Sequence, residues 1–255
     1  MLRRTLIIIY LNIVVFNLNV QAIGKYKGLE FLEPCSKSDP RFQTCLIQSS
    51  NELIRQFRKG LPQLGYPEVE PIILDQIDIA IGESPNNYRA QFKEVTAKGV
   101  SSLRVASLRS NISDSEVLLQ VFLDIPKIRA VAKYRSSGTL VLVQASGAGD
   151  YWGEYDGVGA KVFIRAKLFN VQNRQYLKLQ QLKMDFSVRD IKMGVNNIHE
   201  GSNILQAALN LFINSYSQEL LKKMKPDIRR KLVHVMTNFV ENLFSQVPYD
   251  AWITD

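Results

Sequence analysis

The chain has 255 residues, room for one large domain or two small ones, and its 32 Lys and Arg against 24 Asp and Glu give a net charge of +8 at pH 7. That modest basic excess suits an anionic surface, but with no reader motif beside it, it argues against a nucleic-acid partner. There are two cysteines and two histidines, and neither His199 nor His234 stands at ligand spacing from a cysteine, which argues against a zinc centre.

At the start, Arg3 and Arg4 precede an apolar run from Leu6 to Phe16 broken only by Asn12, and Val20-Gln21-Ala22 fits the small-residue cleavage rule. The run falls short of the about 20 residues that a spanning helix needs. Residues 1–22 are therefore expected to be a secretory leader, and 23–255 a single secreted domain. In an oxidising compartment Cys35 and Cys45 should pair with each other. The short loop they close is worth about 2–3 kcal/mol.

A first helix is predicted over Thr44–Lys59, where Leu46, Ser49, Leu53 and Phe57 share a face with Ile54 beside it, and Gly60 stops it. The next stretch, GLPQLGYPEVEP from Gly60 to Pro71, is too apolar for a flexible linker and too rich in proline for a strand. The period then changes to two. Ile77, Ile79 and Ile81 alternate with polar or small residues; Val117, Leu119, Val121 and Leu123 share one face; Ile128, Ala130, Ala132 and Tyr134 share another. Val162, Ile164, Ala166 and Leu168, then Leu182, Met184, Phe186 and Val188, repeat the pattern against basic residues. These are antiparallel strands with one wet face and one dry face. Asn111-Ile112-Ser113 is a glycosylation sequon and expects an exposed turn. Gly147-Ala148-Gly149 lacks the third glycine and following helix of a dinucleotide loop, and reads as a hairpin-type turn.

From Asn203 to about Gln246, Leu205, Leu209, Phe212, Tyr216, Leu220, Met224, Ile228, Leu232, Val235, Phe239 and Leu243 recur every three or four residues. They predict a helix about 60 Å long, bent or split at Pro226. No short helix could cover such a length, so the sheet must curl around it. Lys222, Lys223, Lys225, Arg229, Arg230 and Lys231 form a basic stretch around Pro226, either a solvated helix face or a contact for an acidic partner or lipid headgroups. The chain lacks the Gly-x-Ser-x-Gly elbow and the His-Glu-x-x-His zinc motif, so no catalytic residue is proposed.

Several stretches, in order, carry a resemblance: Pro34-Cys35, Cys45 opening the first helix, the Gly60–Pro71 run, Lys98-Gly99-Val100-Ser101-Ser102-Leu103, Ser146-Gly147-Ala148-Gly149, and Leu243-Phe244-Ser245-Gln246-Val247-Pro248-Tyr249-Asp250. Across nearly the whole mature chain the sequence resembles the insect juvenile hormone binding protein and takeout family of secreted lipid carriers. The resemblance implies an α+β fold. A long C-terminal helix is wrapped by a strongly curved antiparallel sheet, with an apolar ligand tunnel and a short disulfide-tied N-terminal helix.

It also implies a function and a site. The function is that of a secreted, monomeric carrier for a small hydrophobic ligand: a juvenile-hormone-like terpenoid, another isoprenoid or a fatty acid. It needs no cofactor, metal, nucleic acid or stable membrane insertion. An interaction protein acting in behaviour or circadian physiology, without hormone binding, is the second reading. Lining residues would come from the apolar faces: Leu53 and Phe57 of the first helix; Phe92, Leu119, Val121, Tyr134 and Ile164 of the sheet; Phe212, Tyr216, Phe239 and Leu243 of the long helix. Tyr134 is a candidate polar tip. Leu53 and Phe57 are expected to pack near Phe239 and Leu243 and to close one tunnel end. The stretch Asp150-Tyr151-Trp152-Gly153-Glu154-Tyr155-Asp156 departs from the family pattern and reads as a hairpin tip or a rim contact.

Overall fold

The computed structural model describes residues 29–82, 88–140, 143–144, 146–198 and 203–255. The expected leader and His199 lie outside the described residues. In chain order the elements are β1 (Cys35–Ser36), α1 (Phe42–Phe57), β2 (Ile72–Ile81), β3 (Tyr88–Lys98), β4 (Arg104–Ile112), β5 (Glu116–Leu140), β6 (Val143–Gln144), β7 (Gly147–Val171), β8 (Arg174–Asn196), α2 (Asn203–Ser215), α3 (Ser217–Gln246) and β9 (Ile253–Thr254). The main sheet runs β2-β3-β5-β7-β8, all antiparallel, and β4 pairs with the first half of β5 on the side where β3 pairs with the second half. It is a curled half-barrel. α3 lies along its open side and packs on both edge strands, β8 and β2.

Alternation along the strands sets the interior. Val117 and Val121 of β5, Val162, Ile164 and Ala166 of β7, and Leu182 and Met184 of β8 are buried together against Val240 and Phe244 of α3, with Leu119 partly buried beside them. Each full-sized member contributes about 1.5–3 kcal/mol.

The alternation slips by one residue midway. On β7, Val158 and Val162 point inward, but so do Tyr151 and Tyr155; on β8, Val188 and Ile191 share one cluster. The pairing shows where this happens. Ile125 pairs with Val158 and Lys127 with Asp156, so Pro126 faces Gly157; Asp156 pairs with Asp190 and Val158 with Val188, so Gly157 faces Arg189. Pro126 has no N–H for the ladder, and Gly157 holds φ +63°, a left-handed value that side chains disfavour. This row twists the sheet and divides the interior into two ends.

One end is closed by the N-terminal segment. Cys35 and Cys45 form a disulfide, and β1 pairs in parallel with β9, which ties Cys35 to Ile253 near the other terminus. Leu53 and Phe57 of α1, Leu61 and Leu64 of the proline-rich run, Leu243 of α3 and Val247 just after it form one buried cluster. Phe57, Tyr66 and Phe239 meet with ring centroids 4.9–5.1 Å apart, and the Tyr66 hydroxyl donates to the Phe239 carbonyl at 3.0 Å. Next to the end of the run stands Glu70, whose Oε1 accepts the N–H groups of Gly99 (2.8 Å) and Ser101 (2.5 Å). Gly99 sits at φ +98°, and a Cβ there would stand 2.1 Å from the Lys127 carbonyl oxygen. The Gly60–Pro71 run is therefore stiff and apolar because it is a packed cap with a polar latch at its far end.

The open sheet edges are satisfied by side chains of the helices. Asn51 of α1 accepts the Val105 N–H and donates to the Val105 carbonyl on β4 (2.8 and 3.0 Å). Asn210 of α2 does the same at Val195 of β8 (2.8 and 3.0 Å), and Asn214 at Met193 (3.1 and 2.8 Å). Asp227 of α3 accepts the Ala80 N–H of β2 at 2.9 Å. An unpaired edge invites foreign strands; at these four positions the bond offered by the edge is returned by an amide or carboxylate.

Four expectations are corrected. The long helix breaks at Tyr216 (φ −114°, ψ 17°), between its anchorage on β8 and the part that reaches β2, while Pro226 lies inside α3. Pro226 is exposed, as is Lys222, whose carbonyl loses its i+4 donor, so water can replace it. Asp150–Asp156 is the middle of a strand, not a hairpin tip: its acids and Trp152 face out while Tyr151, Gly153 and Tyr155 face in. Gly147–Gly149 likewise opens β7 and pairs with Tyr134–Ser136. Asn111 is exposed, but it lies in β4 near the hairpin to β5 and not in the turn itself.

Candidate functional site

At the end of the half-barrel opposite the disulfide, between α2, the start of α3 and the ends of β3, β5, β7 and β8, lies a cavity of about 320 Å³. Phe92, Met193 and Val195 from the sheet meet Leu209, Phe212 and Ile213 of α2 and Leu220 and Met224 of α3. The polar groups are hydroxyls: Tyr88, Tyr134, Ser136, Ser146 and Tyr151. Sixteen of the described residues line it, and none of these carries a charge.

The strand pattern of β7 explains its floor. Tyr151, Gly153 and Tyr155 alternate inward, and the Tyr151 and Tyr155 hydroxyls hydrogen-bond to each other above Gly153. A Cβ on Gly153 would lie 2.7 and 2.8 Å from those two oxygens, so the missing side chain is the space in which they meet. Tyr151 also reaches the Met193 sulfur at 3.6 Å and packs edge-on against Phe92 at 5.1 Å. Burial pushes both phenols up, and for Tyr151 the neighbouring Tyr155 adds to it. Burial also raises Tyr88, in spite of its bond with Ser136, and Tyr134. All four phenols stay neutral at physiological pH. The cavity is thus an apolar body with a hydroxyl-bearing end around Tyr88, Tyr134 and Ser136.

Of the side chains expected to line a tunnel, Phe92, Tyr134 and Phe212 come together here. Tyr216 stacks on Phe212 at 4.9 Å but stands outside, 44% exposed. Leu119, Val121 and Ile164 belong to the central core. Leu53, Phe57, Phe239 and Leu243 do pack together, as the spacing of α1 and α3 suggests, but in the cap cluster. Met224 and Leu243 are nineteen positions apart, about 28 Å along a helix. Sequence reasoning missed Tyr88, Tyr151, Met193, Val195 and Ile213. Tyr151 belongs to the Asp150–Asp156 segment, which by sequence reads as a hairpin tip or a rim contact and not as an inward-facing strand. The alternation of Ile191, Met193 and Val195 was present, but it is out of step with Leu182–Val188, and only the slip at Arg189 reconciles the two.

With this geometry in place, the relatives of the chain can be set beside it. Residues 11–254 match the model of the haemolymph juvenile hormone binding protein (JHBP) family. The circadian clock-controlled protein daywake of Drosophila melanogaster is 22% identical over 228 residues, covering 87% of this chain and 88% of that protein. A putative beta-carotene-binding protein of Schistocerca gregaria is 20% identical over 222 residues, covering 86% and 87%. The crystal structure of Takeout 1 from Epiphyas postvittana superposes with a TM-score of 0.74 at 16% identity, covering 88% of this chain and all of that one. The match extends to the curled sheet and the long C-terminal helix.

Proposed function

This chain belongs to the haemolymph juvenile hormone binding protein family, and from that membership we propose that it is a secreted carrier holding one small hydrophobic molecule in the cavity beside α2. The observation that carries the reading is the lining: sixteen uncharged residues, mostly aromatic, aliphatic or methionine, with hydroxyls gathered toward one end. An apolar body entering that space gains about 0.8 kcal/mol per buried methylene, before the cost of ordering. The hydroxyls of Tyr134 and Ser136 orient a single oxygen function at the other end.

The lining also discriminates between ligand classes. A carboxylate brought there would lose its hydration and find no cation among the described lining residues. A neutral terpenoid or other isoprenoid bearing an ester, ketone or hydroxyl is favoured over an ionised fatty acid. The name of the Schistocerca relative, a putative beta-carotene-binding protein, supports the isoprenoid skeleton, beta-carotene itself being a hydrocarbon without an oxygen function.

The test is displacement of the apolar fluorophore phenylnaphthylamine from delipidated protein. A terpenoid ester should displace it, and a fatty acid of equal carbon number should compete about ten-fold more weakly at neutral pH than in acid, where its carboxyl is protonated. Ala208 is exposed at the cavity mouth, and Ala208→Trp, which sets an indole across that mouth, should weaken fluorophore binding about ten-fold without lowering Tm. Unchanged binding in that variant would place the ligand elsewhere.

A further inference from the structure

The geometry points to α2 and the beginning of α3 as a surface that seats this protein on an anionic membrane, with the cavity mouth turned toward the lipid. α2, Asn203–Ser215, contains no charged residue. It is apolar on two sides. Leu209, Phe212 and Ile213 line the cavity, whereas Ile204 and Leu211, two turns apart on the outward stripe, are 83% and 72% exposed. They are the two most exposed large hydrophobic side chains among the described residues, and Tyr216, just past the end of α2 and packed on Phe212, adds a third exposed apolar ring at the lip. Scattered single apolar residues are ordinary on a surface; a helix lacking any charge, apolar inside and out, at the lip of an apolar cavity is not.

The charge that follows selects the occupant. Ser217–Lys231 holds six lysines and arginines and two acids. Both acids are engaged: Glu219 pairs with Lys223 at 3.3 Å, and Asp227 is held at the β2 edge and by Arg230. Lys222, Lys223, Arg229 and Arg230 are exposed. Lys222 follows Tyr216 by six positions, about 9 Å along a helix, so an apolar surface lying in the interface has basic side chains close beside it, where the headgroups are. An apolar tip followed by a basic collar matches acyl chains followed by anionic headgroups. A second copy of the chain would set one basic collar against another. Among the described residues no helix is long and apolar enough to cross a bilayer, so α2 would lie in the interface and not span it.

The docking stands on the surface alone; its use, passing ligand between bilayer and cavity without exposing apolar surface to water, rests on the carrier reading. The experiment is co-sedimentation of the purified protein with vesicles of phosphatidylcholine alone or mixed with phosphatidylserine. Alongside it, phenylnaphthylamine binding is measured in vesicle-free buffer. The expected result is binding to the serine-containing vesicles that weakens with added salt. It should fall about ten-fold in Ile204→Ser/Leu211→Ser and in Lys222→Glu/Lys223→Glu, with fluorophore binding unchanged because none of these residues lines the cavity. Wild-type protein that stays in the supernatant, or variants that sediment like wild type, would overturn the proposal. A dimer dissolved by the serine variants, without vesicle binding, would give the stripe to a second copy and overturn it equally. Vesicle binding intact in a protein that takes up no fluorophore would sink the carrier reading and leave the docking standing.

Discussion

Glu70 shows how one side chain can hold two distant turns. Desolvation by itself would raise its carboxyl, but the N–H groups of Ser101 and Gly99, with Lys98 nearby, outweigh it and hold the group below its usual range. A carboxyl depressed in the folded state stabilises the fold fully above its unfolded pKa, about 4.3, and that contribution is lost as pH falls through the folded value. Glu70→Gln keeps one acceptor but loses the charge. It should cost about 1–2 kcal/mol at neutral pH, the low end because the side chain is half-exposed. Urea denaturation from pH 7 down to the acid limb checks this: the gap between wild type and variant should close in acid. A constant gap at every pH would show that shape and not charge matters at this latch.

Between residues and molecule, the helices act as edge strands that cannot propagate. Asparagine is a weak helix former because its amide competes for backbone partners, and Asn51, Asn210 and Asn214 turn that competition outward, onto the free edges of β4 and β8. Replacing Asn210 and Asn214 together by Ala leaves the N–H and C=O of Val195 and Met193 without those partners. The expected cost is about 2–4 kcal/mol for the pair. The sharper readout is hydrogen exchange, in which the amides of Met193 and Val195 should speed up while those in the middle of β7 keep their protection. Uniform acceleration across the sheet would mean that the two asparagines hold the whole fold and not its edge.

For the molecule as a whole, the row from Pro126 through Gly157 to Arg189 separates a closed end from one that contains space. The closed end holds the disulfide, the Gly60–Pro71 cap and the Phe57–Tyr66–Phe239 trio; the other holds the cavity. Phe57→Ala should therefore behave as a core truncation, costing about 3–5 kcal/mol, with little effect on the rate at which phenylnaphthylamine leaves. Stopped-flow release and thermal melting on the same preparations measure both. Release accelerated out of proportion to the loss in Tm would make Phe57 a gate, and would require the interior to connect across the twisted row.

Local pattern alone determined a good deal of this. The period-two runs of β5, β7 and β8, the period near 3.6 over the last 44 residues of helix, and the single cysteine pair suffice for a sheet curled on a long helix with a tied N-terminus, because facing and loop closure depend on residues close together in the chain. What only the tertiary structure decided depends on which residues of different strands stand side by side. The alternation of facing changes by one residue at Pro126, Gly157 and Arg189 while the pairing runs on unbroken, which turns Tyr151, Met193 and Val195 inward, and nothing within any one strand announces that the three changes line up in a row. The same holds for the helix break at Tyr216 and for the asparagines on the sheet edges, whose partners lie 15 to 54 positions away. A propensity scale places Asn in a helix as a weakness; the fold uses it as the closing bond of an open sheet.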